Sequence, residues 1–170
     1  MTSFGDRAST ATRLPPIGID PSTPDGLSKA FSMGASECLM AAMELDRGFS
    51  DRTGEYIVTF HAIELGLKAF LIKCRVPEWG LREKPYGRDL VCLYNMAKQR
   101  GLSLGITDVD EMLAWINEWH HCGVKIRYEF TEQRTLPICA TLFALAEAII
   151  KASNWDHALR PRRRAPPRHG

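Results

Sequence analysis

Apolar residues recur along this chain every three or four positions in five separate stretches, the spacing that lines one face of an α-helix. Leu27, Phe31, Cys38, Ala42 and Leu45 mark the first stretch, which the pattern opens at Thr23 with Pro24 in its first turn and ends at Gly48. The second, capped by Ser50 or Asp51, carries Phe60, Ile63, Leu67, Phe70, Leu71 and Cys74, stops before Pro77, and is expected to be the central helix. A connector rich in turn-formers, PEWGLREKPYG, leads to a third helix from Arg88 to Arg100. It turns Leu90, Leu93, Tyr94 and Ala97 inward, with Gly101 as its terminator. The fourth is expected to begin at Thr107 in a Thr-x-x-Asp capping box with Asp110, to stripe Val109, Met112, Leu113, Ile116 and Trp119, and to close at Gly123. The fifth starts near Thr135 with Pro137 in its first turn, faces Ile138, Leu142, Leu145, Ala146 and Ile149 to the core, and fades by Asp156. No useful run alternates apolar and polar residues as a strand does, and no segment repeats.

Amphipathic helices joined by mostly short links predict an all-α fold, a single antiparallel bundle of about five helices with flexible termini. The 170 residues, 45% of them hydrophobic, suffice for one core and would be cramped as two domains. Residues 1–22, mixing Ser, Thr, Gly and Pro with few large apolar groups, read as a flexible leader because they bury too little to offset the entropy of ordering. Residues 23–156 form the bundle, and residues 157–170 a disordered basic tail. The longest apolar run, Ile138 to Ile150, contains Thr141 and Glu147 and falls short of the roughly 20 residues of a bilayer span, so no membrane association is expected.

Charge refines this picture. The formal net charge is +2, yet Arg160, Arg162, Arg163, Arg164 and Arg168 lie close to the C-terminus, and removing those five leaves the rest of the chain near −3. A mildly acidic body argues against a broad phosphate-binding face on the folded part and places electrostatic attraction mainly in the tail. The tail reads either as a solvated end or as a segment that binds RNA, lipid or an acidic protein patch. Cys38, Cys74, Cys92, Cys122 and Cys139 are odd in number, widely spaced and without a CxxC pair, which predicts reduced thiols. With no apolar N-terminal run of the secretory type, the expected location is cytoplasmic.

Candidate chemistry concentrates on the second helix, where His61, Glu64 and Lys68 share one flank at spacings of three and four residues. Two readings stand open: a partly buried polar pocket that orients a phosphate or a partner chain, completed by Arg127, or a bundle-locking ion pair that recognises nothing. Tyr86, Gly87, Arg88 and Asp89 open the third helix, so Arg88 is a candidate anion-binding residue beside free helical amides, while Asp89 can equally complement the helix dipole. His120 and His121 are consecutive and project about 100° apart on a helix, which does not converge on one metal. No metal or cofactor is expected.

The segments ELGLKAFL, GRDL and IRYEF, taken together, resemble HEPN domains over Leu27 to Asn154. That resemblance implies an all-α bundle, often dimeric, of the kind found in bacterial toxin–antitoxin pairs and antiviral systems. It also implies a partner: a second copy of the chain, a protein such as a nucleotidyltransferase, or RNA. Catalytic HEPN domains are metal-independent ribonucleases with an Arg and a His separated by four to six intervening residues. Arg127 matches the arginine, but the fifth to seventh positions after it are Glu132, Gln133 and Arg134, and Arg88 stands where many relatives have a histidine. The expectation is therefore a non-catalytic, associating HEPN-like module with Glu64, Lys68, Arg88 and Arg127 as binding residues. The alternative is an endoribonuclease using Arg127 with a displaced base such as His61 or His120.

Overall fold

The computed structural model describes residues 18–46, 53–120 and 138–154 of the chain. Among these residues the architecture is all α-helical and contains no strand. The five helices are α1 (Pro24–Asp46), α2 (Thr53–Lys73), α3 (Leu90–Gln99), α4 (Val109–His120) and α5 (Cys139–Ser153), with a short 3-10 helix at Glu78–Leu81. No helix among them is long and apolar enough to cross a membrane.

Helices α1 and α2 run antiparallel, as do α3 and α4. The Ser28 hydroxyl near the start of α1 donates to the Ala69 carbonyl near the end of α2 at 2.8 Å. Asn117 at the end of α4 likewise meets the first turn of α3. Helix α5 runs beside α2 in the same direction, since Gly66 faces Ile149 and Lys73 Nζ reaches the carbonyls of Ala152 and Asn154. Every other helix touches α2. Burial consequently wraps α2 instead of selecting one face: Tyr56, Ala62, Ala69 and Ile72 are interior together with the predicted Phe60, Ile63, Leu67 and Leu71.

Local chemistry explains most of the boundaries. The Thr23 hydroxyl accepts from the Gly26 amide at 3.0 Å, as an N-cap requires. Helix α2 ends where Arg75 enters the left-handed region (φ 66°) and its amide and that of Val76 return to the carbonyls of Ile72 and Leu71. Gly101 (φ 92°) closes α3 in the same manner, with Leu102 bonded back to Ala97.

Residues 18–22 make a turn ahead of α1, in which Asp20 Oδ1 accepts from the Ser22 amide and hydroxyl, and a Cβ on Gly26 would lie 1.7 Å from the Asp20 carbonyl oxygen. Three expectations need correction. On α1 the most buried positions are Ser28, Ser32, Ala35, Leu39 and Ala42, while Leu27, Phe31 and Cys38 are only partly covered. Small residues let α1 approach closely, and the Ser32 and Ser153 hydroxyls bond to each other at 2.9 Å, so the polar atoms are satisfied. Helix α4 begins after Asp108 (φ 59°) rather than in a Thr107 capping box, because Asp110 pairs with Lys98 Nζ at 2.6 Å. Helix α5 begins after Ile138, which is 73% exposed, and the buried residue of its first turn is Cys139. Thr135, Pro137, Gly123 and Cys122 lie outside the described residues.

Candidate functional site

Helix α2 is enclosed on nearly all sides, so any charged side chain on it must find partners inside the bundle. Glu64 is 7% exposed and Lys68, one turn later, 9%. Lys68 Nζ donates to Glu64 Oε1 at 2.5 Å and to the Gly87 carbonyl at 2.7 Å. The other carboxylate oxygen, Oε2, lies 2.7 Å from His120 Nε2 on α4. With Glu64 ionised, the Nε2–H of His120 donates to it. Burial alone pushes a carboxyl upward, but His120, then His61 and Lys68, outweigh it and hold Glu64 well below the usual carboxylate range. His61 is peripheral by comparison: its Nδ1 stands 3.8 Å from Oε2, beyond hydrogen-bond reach, and half of its side chain is exposed.

Aromatic rings wall this centre. The Phe60 ring meets the His120 imidazole edge to face at 6.2 Å and Trp115 at the same distance, and Trp115 continues to Trp119 at 6.0 Å. These rings restrict the rotamers open to His120 and lower the dielectric around the Glu64 charge.

A second polar seam fastens the start of α3. The Asp89 carboxylate caps the helix by accepting from the Cys92 amide at 2.9 Å, and the same oxygen accepts from Asn117 Nδ2 at 3.2 Å. Asn117 Oδ1 accepts from the Leu90 amide at 2.8 Å. Two of the amides expected to attract an anion are thus already occupied, one of them by a carboxylate. Gly87 is required just upstream, because a Cβ there would lie 2.8 Å from the Arg82 carbonyl oxygen. The thiols offer no activated nucleophile in this region: burial first, and then the Asp89 carboxylate, push Cys92 upward.

The structure therefore brings Glu64 and Lys68 together, leaves His61 at their edge, and turns Arg88 outward without an ion pair among the described residues. Arg127 lies outside the described residues. Within them, the counter-group for Glu64 Oε2 is His120, whose role the sequence reading left open. Asn117 and the Gly87 carbonyl were not singled out. The one available signal was that Asn117 and His120 sit three apart on α4, at the margin of its apolar stripe. No three His, Cys, Asp or Glu side chains among the described residues are grouped to hold a metal ion.

No family model matches the chain, and neither a curated protein nor a solved structure matches it.

Proposed function

We propose that this chain is a non-catalytic, HEPN-like helical bundle that works by association, with a second protein chain or RNA as its partner. The observation that carries this reading is the satisfaction of its polar centre from within. Both Glu64 oxygens are engaged, one by Lys68 and one by His120, and Lys68 is bonded in addition to the Gly87 carbonyl. General acid–base catalysis needs a titrating group within reach of a substrate proton, whereas this carboxylate is buried, ionised and fully partnered. The resemblance of ELGLKAFL, GRDL and IRYEF to HEPN domains supports the bundle type, and the absence of a histidine at the expected spacing after Arg127 supports binding over turnover. A bacterial defence or toxin–antitoxin setting, with a nucleotidyltransferase as partner, follows from the same resemblance.

Incubation of the purified chain with total RNA in EDTA, alongside Arg127→Ala and His61→Ala, tests this directly. Intact RNA in all three samples is the expected result. Cleavage by the unmodified chain that either substitution abolishes would overturn the reading in favour of a metal-independent endoribonuclease.

A further inference from the structure

Helix α1 presents to solvent a row of side chains that the polar centre does not use. Met33, Glu37, Met40 and Glu44 follow one another at spacings of four, three and four residues, so they form one stripe, and all four are exposed, Met40 by 60%. From Ala30 to Leu45 the helix holds Glu37 and Glu44 and no lysine or arginine, so the stripe is acidic as well as apolar. A cleft of about 340 Å3 runs into it, lined by Ser32, Met33, Ser36, Glu37, Met40 and Asn154. Asn154 comes from the end of α5. Its Oδ1 accepts from the Ser32 hydroxyl at 2.9 Å, its carbonyl accepts from Lys73 Nζ at 3.3 Å, and its backbone (φ −74°, ψ 131°) has left the helix. The chain therefore leaves α5 at the rim of this cleft, and the next residue is Trp155.

We propose that residues 155–164 of this same chain occupy the cleft, with the Trp155 indole seated between Met33 and Met40 and with Arg160 and Arg162 set against Glu44. The inference goes beyond the associating role above and does not depend on it. Length permits the contact: Met33 to Glu44 covers about 17 Å of helix, and the six steps from Asn154 to Arg160 reach about 20 Å when extended. Charge favours it, because these ten residues carry Arg160, Arg162, Arg163 and Arg164 against Asp156, while the stripe carries two carboxylates. Two flexible thioethers adapt to an indole and make favourable sulfur–aromatic contacts. The tether matters as much: a segment that starts at the rim meets the cleft at a high effective concentration, which a separate molecule of the same chemistry lacks. A second copy docking by the same stripe would set carboxylates against carboxylates, and RNA would set phosphates against them.

Fluorine NMR of the full chain labelled with fluorotryptophan tests this, with the Trp155 resonance assigned through Trp155→Phe. In the native chain that resonance should stand away from its position in urea, equally at every protein concentration. Met33→Ser combined with Met40→Ser should return it to the urea position. The same pair should let trypsin cleave after Arg162, Arg163 and Arg164 about tenfold faster, since cleavage follows the population of the undocked segment. Glu37→Gln combined with Glu44→Gln should move the resonance part of the way, as should raising salt from about 0.05 M to about 0.5 M, because exposed charges are screened. Circular dichroism checks that each variant is folded. A native Trp155 resonance already at its urea position, one indifferent to the methionine pair, or tail cleavage equally fast in both chains would each overturn the proposal. A displacement that appears only as protein concentration rises would overturn it too, by assigning the segment to the cleft of a second copy.

Discussion

Glu64 on α2 and His120 on α4 meet at 2.7 Å across fifty-six residues of chain, and this contact ties the end of the second helical hairpin to the central helix. Lys68 holds the opposite oxygen of the same carboxylate. Removing the carboxylate leaves a buried ammonium with one carbonyl for company. Glu64→Ala should therefore lower unfolding free energy by about 3 kcal/mol or more, read from urea midpoints. The double variant Glu64→Leu, Lys68→Met should recover much of that loss, because no uncompensated charge remains.

The same contact makes stability depend on acid. The Glu64 carboxyl titrates lower in the folded chain than its ordinary value of 4.5, so the unfolded chain binds the proton more readily. Its contribution is complete above that ordinary value and is lost as pH falls toward the depressed folded value. Urea midpoints between pH 7 and pH 3 should decline on the acid side, and Glu64→Gln should flatten the part of that decline that this carboxyl causes.

A glutamate nine residues earlier on the same helix should behave in the opposite sense. Glu55 is 2% exposed, and its Oε1 has no hydrogen-bond partner among the described residues. A buried, unpartnered carboxylate oxygen costs free energy that its place in the first turn of α2 only partly offsets. Glu55→Met should raise the unfolding free energy by about 1 kcal/mol, whereas Glu64→Met should lower it.

Close packing of α2 on α5 sets a further test. A Cβ at Gly66 would stand 2.9 Å from Ile149 Cγ2, a branch held stiffly beside its own backbone. Alanine in a helix interior normally gains about 1 kcal/mol over glycine, but the overlap here should reverse the sign and cost about 1–2 kcal/mol net. Gly66→Ala combined with Ile149→Ala should cost less than the sum of the two changes, measured as a double-mutant cycle.

What the residue pattern disclosed, and what it concealed, follows from how far each interaction reaches. The start of α1 at Thr23, the stop before Pro77 and the Gly101 terminator are short-range events, and each was readable because its donor and acceptor lie within a few positions. The start of α4 was misread because Asp110 has a stronger claimant in Lys98, twelve residues upstream. The inward side of α1 was assigned to its large apolar residues, although close approach to α2 favours the serines and alanines one position along. At the centre, Glu64 and Lys68 were legible as neighbours on one helix, but His120 and Asn117 acquire their partners only through the packing of α4.

Lys68 fastens the connector through the main-chain oxygen of Gly87, not through any side chain there. Every residue type presents that oxygen, so evolutionary drift in the neighbouring letters of the connector can proceed without undoing the anchor, provided position 87 stays free of a Cβ. The surface of this loop is thereby at liberty to change while its foundation stays put.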